Sequence, residues 1–144
     1  RDKIDDIMEQ VKCPVAVFVN RNYREGALVS FVLGGMIDVF LLSYLNIMLQ
    51  NGHSVRLFLF DTDDEEFCRC MNDLQARYSG QITIVRFAGV EELVTREKDG
   101  LLVMSHLSYT KLSEDELVMR ELSSLLVIRR NKNKGEKNER LEIG

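Results

Sequence analysis

The chain has 144 residues, of which 45% are hydrophobic and 29% are charged, so it can form one domain with a substantial core. A formal net charge of −4 at pH 7 gives no general attraction to nucleic acid or to anionic lipid, and we expect no nucleic-acid partner. The three cysteines do not form a disulfide framework, and the first residues lack a signal-peptide pattern. We therefore expect an intracellular, reducing compartment.

Residues 1–12 form the first predicted element, an amphipathic lead-in helix that needs a partner surface. Its apolar residues recur at helical spacing and are Ile4, Ile7, Met8 and Val11. Residues 13–27 then contain an apolar strand, Val15 to Val19, and a polar linker. We interpret this strand as separate from the main domain, which we place at residues 28–130.

The stretch from Leu28 to Gln50 is 23 residues long and has one formal charge, on Asp38. Its length could cross a bilayer. A charge near the centre of such a span costs roughly 3 kcal/mol, and the adjacent Gly34-Gly35 pair disfavours a continuous helix. We therefore predict a buried strand to Leu33, a turn at the two glycines, and a helix from Ile37 to Gln50 that ends at an Asn-Gly cap.

Apolar runs and helical patterns alternate along the rest of the domain. An acidic run from Asp61 to Glu66 opens one predicted helix, and a capping box, Ser113-x-x-Glu116, opens the last. Another short helix is predicted from Val90 to Glu97. The remaining predicted strands are Ser54–Phe60, Gln81–Phe87, Leu101–Ser105 and Leu125–Arg129. Strict alternation predicts an α/β domain with a five-stranded parallel sheet, helices on both faces and an extra N-terminal strand.

Several motifs resemble the cytoplasmic C-terminal region of cation/proton antiporters, namely the plant cation/proton exchangers and their bacterial Na+/H+ antiporter relatives. They are CPVAVFVNR, FVLGGMID before a helix, NGHSVRLFLF and SSLLVIRR. That region resembles two universal-stress-protein-like units in tandem. Gly34, Gly35 and Asp38 match its pattern, whereas Met36 and Ile37 stand where Pro and Asp are expected.

The resemblance implies a universal-stress-protein-like, Rossmann-like fold, with Cys13 to Arg21 as the closing strand of an upstream unit. It implies a non-enzymatic regulatory domain at the cytoplasmic face of the membrane, whose partner is the transport domain of the same protein. The alternative is a free-standing nucleotide-binding universal stress protein. Because the two closing strands are too apolar to stay open, we expect them to pair within one chain or in a homodimer, through Val15, Val17, Val19, Leu125 and Val127.

Two interpretations of Gly34-Gly35 remain open, a structural corner or part of a nucleotide pocket with Asp38, Ser105 and His106. Glycine before a helix lets phosphate approach, but Asp38 would repel it. The universal stress proteins that bind ATP carry a glycine-rich loop after the fourth strand. The corresponding segment here, Ser105 to Leu117, has no glycine. We therefore expect no cofactor, or at most weak binding of adenine nucleotide.

Other polar clusters give weaker predictions. The acidic run before Phe67 could bind a divalent cation, but it also suits a helix N-terminus, and we predict no metal site. His106, Ser105, Ser108 and Tyr109 could line a small pocket, yet no nucleophile motif accompanies them, so we predict no catalytic residues. The charged tail, residues 131–144, is predicted to be disordered, with basic residues that could touch a membrane surface.

Overall fold

The computed structural model describes Ile4, Ile7 and residues 15–130. The rest of the predicted lead-in helix and the predicted disordered tail lie outside the described residues. Ile4 and Ile7 are both helical, but only Ile4 is buried in the core, whereas Ile7 is exposed. The amphipathic character predicted for residues 1–12 stays a prediction, because most of these residues lie outside the described part of the chain.

One mostly parallel sheet forms the centre of the domain. Its strands are β1 (Val15–Val19), β2 (Val29–Leu33), β3 (Val55–Phe60), β4 (Ile82–Phe87), β5 (Leu101–Ser105) and β6 (Ser124–Arg129). They lie in the order β1-β6-β5-β2-β3-β4. All neighbours are parallel except β1, which runs antiparallel to β6. The sheet thus has six strands rather than five, because the extra N-terminal strand joins its edge.

Helical segments connect the parallel strands. A 3-10 segment, Met36–Leu41, follows β2 and continues as α1 (Leu42–Gln50). The others are α2 (Glu65–Arg77), a 3-10 turn at Val90–Leu93, α3 (His106–Leu112) and α4 (Glu116–Glu121). The α/β class and the sheet flanked by helices are confirmed, and the arrangement is compatible with a Rossmann-like fold.

The two faces of the sheet bury two separate apolar clusters. One cluster packs α1 and α2 against the sheet through Leu45, Leu49, Phe67 and Met71. The other packs α3, α4 and the 3-10 turn against the opposite face, and it includes Tyr109. The strand pattern predicts six core residues, namely Val32, Leu57, Leu59, Ile84, Val103 and Val127. Five of them are buried, whereas Ile84 is half-buried because it lies on the edge strand β4.

The apolar stretch from Leu28 to Gln50 is divided as the sequence predicts, into β2, a glycine turn and a helix. Within the described residues, no helix combines the length and the apolar character needed to cross a membrane.

One predicted helix and one predicted helix cap are wrong. The helix predicted from Val90 to Glu97 is a single 3-10 turn, because the backbone is already extended at Val94. Glu92 closes this turn by accepting hydrogen bonds from the Ala88 and Gly89 N–H groups at 2.7 and 2.8 Å. The capping box at Ser113 does not form either.

An additional helix explains the second error. α3 begins directly after β5, and Ser113 lies at its C-terminal end, where its hydroxyl donates to the Thr110 carbonyl at 2.9 Å. Asp115 instead caps α4, and its carboxylate accepts from the Val118 N–H at 3.1 Å.

The closing strands pair within the chain, as one of the two predicted arrangements requires. Val17 of β1 lies opposite Val127 of β6, which is completely buried. At the end of this seam the Arg21 N–H donates to the Ser124 hydroxyl at 2.7 Å. Val15, Val17 and Val19 pack on the core, whereas Ala16 and Phe18 face outwards.

Burial at this seam gives the first testable prediction. Val127→Lys would place an unpaired ammonium in the apolar cluster that packs on this face of the sheet, so we expect it to lower the free energy of unfolding by about 3 kcal/mol or more. Phe18 is 48% exposed and makes an edge contact with the Tyr23 ring. Phe18→Lys is therefore the control, with a loss of about 1 kcal/mol or less. Urea unfolding of both variants measures the difference, and equal losses would contradict the described seam.

Candidate functional site

The order of the strands creates one place where the chain leaves the sheet in opposite directions. β2 and β5 are parallel neighbours in the middle of the sheet. From β2 the chain continues to β3 on one side, and from β5 it continues to β6 on the other. Ligands of open α/β sheets bind at the carboxyl ends of the strands at such a switch point.

The structure brings the predicted site residues to this switch point. Gly34 and Gly35 follow β2, while Ser105 ends β5 and His106 begins α3. Asp38 lies in the 3-10 segment and links the two sides. Its Oδ2 accepts hydrogen bonds from the Gly34 N–H at 2.7 Å and from the Ser108 hydroxyl, 70 residues away, at 3.1 Å. The five predicted residues therefore share one region, although Asp38 contacts Gly34 and Ser108 rather than Ser105.

Glycine is favoured at positions 34 and 35 for different physical reasons. A Cβ on Gly34 would lie 3.2 Å from Asp38 Oδ2 and 3.7 Å from Ser108 Oγ, so a side chain there would crowd the hydrogen bonds. Gly35 has a φ of 149°, which L side chains rarely adopt, but a Cβ there would meet no atom within 4 Å. Gly34 thus provides space and Gly35 provides the turn, which favours the structural-corner interpretation of the pair.

A serine pair holds the other side of the site. Ser105 caps α3 by accepting a hydrogen bond from the Ser108 N–H at 3.1 Å. The Ser108 backbone is thus held by Ser105 while its hydroxyl donates to Asp38. The sequence allows a small pocket lined by Ser108 and Tyr109, but the structure buries Tyr109 in the core. The Ser-x-x-Ser spacing after a strand is the N-cap pattern that could have predicted α3.

Asp38 is an unusual acidic residue for its position, because it is only 1% exposed. Its second carboxylate oxygen, Oδ1, is buried and has no hydrogen-bond partner. Within the part of the chain that the structure describes, Asp38 also takes part in no ion pair. Buried charges in proteins are ordinarily paired or bound to cations. The site can therefore accept a hydrogen-bond donor or a positive charge, and it repels an anion.

The acidic run before α2 is the N-terminus of a helix. Asp64 is its N-cap and accepts from the Phe67 N–H at 3.2 Å, and Glu65 and Glu66 follow in the first turn. No group of three or more histidine, cysteine or acidic residues that could bind a metal occurs in Ile4, Ile7 or residues 15–130.

Two carboxyl groups with shifted pKa values lie outside the switch point. Hydrogen bonds from the Gly89 and Ala88 N–H groups lower the pKa of Glu92. The pKa of Glu97 is lowered mainly by a hydrogen bond from its own backbone, with a smaller effect of Arg56, whose guanidinium is 3.3 Å from Glu97 Oε1. Glu92 therefore holds its own turn, whereas Glu97 joins its loop to Arg56 of β3.

Comparisons of the chain with protein-family models, with curated proteins and with solved structures found no match. The resemblance given above therefore stays a prediction that rests on the quoted motifs.

The link between Asp38 and Ser108 gives a prediction that is specific to this site. Ser108→Ala removes the hydroxyl that joins the two sides, so we expect the free energy of unfolding to fall by about 1–2 kcal/mol. Ser43→Ala is the matched control, since the Ser43 hydroxyl makes only a local, exposed bond to the Phe40 carbonyl at 3.1 Å. We expect that variant to lose less than about 0.5 kcal/mol. Chemical denaturation of both proteins tests the difference, and a Ser108→Ala loss no larger than the control's would contradict the described link.

Proposed function

We propose that this chain is a non-enzymatic, universal-stress-protein-like regulatory domain of a membrane cation/proton antiporter and acts at the cytoplasmic face. The observation that carries the proposal is the position of the Asp38 carboxylate. It occupies the switch point at which open α/β sheets bind ligands, and it accepts the Gly34 N–H that would otherwise face such a ligand.

Electrostatics gives the first argument against a nucleotide at this site. A phosphate brought to the Gly34-Gly35 turn would approach a buried carboxylate for which the described residues supply no ion-pair partner. Like charges at about 4 Å repel by several kcal/mol at the effective dielectric of a protein surface. The Gly34 N–H and the Ser108 hydroxyl are already used by Asp38, so few donors remain to offset this repulsion.

The segment after β5 gives the second argument. Nucleotide-binding loops hold phosphate with glycine-rich backbone N–H groups. Here Ser105 leads directly into α3, and Ser105 caps that helix with its own hydroxyl. The segment to Leu117 contains no glycine. A free-standing nucleotide-binding protein, the alternative function, would need contacts of another kind.

The seam between β1 and β6 is consistent with a tandem arrangement. β1 is short, apolar and antiparallel to the last strand of the domain, as expected for the closing strand of an upstream unit. Regulation would then act through changes in how the domain packs against such a unit, a second copy or the transport domain. The predicted homodimer, with the β1 valines of one chain against Leu125 and Val127 of another, stays a prediction. Within one chain β1 already pairs with β6 and covers these two residues.

Nucleotide affinity tests the first part of the proposal. We expect ATP to bind no more tightly than high micromolar, because Asp38 repels phosphate and no glycine loop is available. Asp38→Asn removes the charge with little change of shape, so it should strengthen whatever binding exists. Isothermal titration calorimetry of both proteins with Mg-ATP measures this. A low-micromolar constant for the unmodified chain would favour the alternative function.

Ion exchange by the longer protein tests the regulatory role. In reconstituted vesicles with an imposed pH gradient, we expect Val127→Lys to change the rate or the pH dependence of cation-driven proton movement, because it disrupts the domain. Phe18→Lys, with its solvent-facing side chain, should leave exchange near the unmodified rate. If the unmodified protein shows no cation/proton exchange, or if removing residues 15–130 leaves exchange unaltered, the proposal is wrong.

A further inference from the structure

The Asp38 carboxylate lacks a positive partner in the described structure, and this imbalance points to a ligand. Oδ2 accepts two hydrogen bonds, whereas Oδ1 accepts none, although the side chain is 99% removed from solvent. The two donors are a backbone N–H and a neutral hydroxyl, so neither cancels the charge. A buried carboxylate with a bare oxygen is a costly arrangement unless a cation completes it.

The surroundings of Asp38 favour a small cation. Gly34, which contacts the carboxylate, is itself exposed to solvent, and it has no side chain to block the approach. The Ser108 hydroxyl contacts Asp38 Oδ2 directly, and the Ser105 hydroxyl oxygen is one hydrogen bond further away, on the Ser108 N–H. The carboxylate therefore lies directly beneath a solvent-exposed glycine, and the close packing around it favours a small ion over a bulky organic cation.

The number of acidic groups selects the charge of the ion. Ca2+ and Mg2+ prefer several carboxylates or a cage of oxygen ligands. The described residues bring no cluster of three acidic or metal-ligating side chains together, and Asp38 is the acidic residue at the switch point. One carboxylate with neutral oxygens balances a single positive charge.

We propose that Asp38, assisted by the hydroxyl oxygens of Ser105 and Ser108, binds a small monovalent cation at the switch point. Na+, K+ and NH4+ share the required chemistry, and the experiment distinguishes them. The proposal deepens the proposed function and rests on it for the identity of the site. Cation binding would tighten the link between the β2 and β5 sides of the sheet, and so couple ion concentration to the packing of the domain.

Thermal unfolding in different chloride salts tests the proposal. The chain is melted at constant ionic strength and pH in choline chloride, NaCl, KCl and NH4Cl, and separately with added MgCl2. We expect at least one small monovalent cation to raise the melting temperature above the choline value, by roughly 5 °C when the ion is at about ten times its Kd. Equal melting temperatures in all four chloride salts would overturn the proposal, as would a larger effect of Mg2+.

The variant that locates the site is Asp38→Asn, which keeps an oxygen acceptor for Gly34 and Ser108 and removes the charge. We expect it to lose the cation response. Asp64→Asn is the matched control, since it removes one exposed helix-capping carboxylate and leaves the switch point unaltered. That control should respond to cations as the unmodified chain does. An undiminished response of Asp38→Asn would place the cation elsewhere and overturn the proposal.

A third variant decides the matter if Asp38→Asn does not fold. Ser108→Ala keeps the carboxylate and removes one oxygen, so we expect a smaller cation-dependent rise in melting temperature. A rise equal to that of the unmodified chain would count against the site. None of these measurements involves ATP or ion exchange, so a failure here is distinguishable from a failure of the regulatory role.

Discussion

The pairing of β2 with β5 is the constraint on which the rest of the structure depends. Placing these parallel strands side by side puts β3 and β4 on one side and β6 on the other. It also brings two segments that are far apart in sequence, the glycine turn and the start of α3, to the same edge of the sheet. The hydrogen bond between Asp38 and Ser108 exists because this pairing holds the two segments together. The candidate site is therefore a product of topology.

At that edge of the sheet the negatively charged group is a side chain of the protein itself, the Asp38 carboxylate. In phosphate-binding sheets the donors after the first strand face a ligand, whereas here the Asp38 carboxylate takes them. The result is a buried carboxylate that lacks a positive partner in the described structure, and we propose that this edge favours a cation over phosphate. One buried acidic residue thus sets the charge at this edge of the sheet, while the two glycines provide the space and the turn.

Much of this architecture could be predicted from the sequence, and the failures have physical reasons. The strands were predictable because apolar β-branched runs are bounded by turn residues, as in Val29 to Leu33. α3 was missed because no turn residue separates it from β5; Ser105 ends the strand and caps the helix at once. That the five site residues lie close together could be predicted, because they follow the carboxyl ends of parallel strands. The Asp38–Ser108 bond and the bare Oδ1 could not be predicted, since they depend on the relative position of side chains 70 residues apart.

The measurement that tests the central claim most directly is the hydrogen exchange of the Gly34 amide, followed by NMR. Gly34 is exposed, so without the Asp38 carboxylate its amide should exchange rapidly. The account predicts slow exchange of this amide in the unmodified chain, because its N–H is donated to Asp38 Oδ2 at 2.7 Å. It also predicts that exchange becomes much faster in Asp38→Ala, while amides of β3 stay protected. A Gly34 amide that exchanges as fast as that of the exposed turn residue Gly26 would contradict the account.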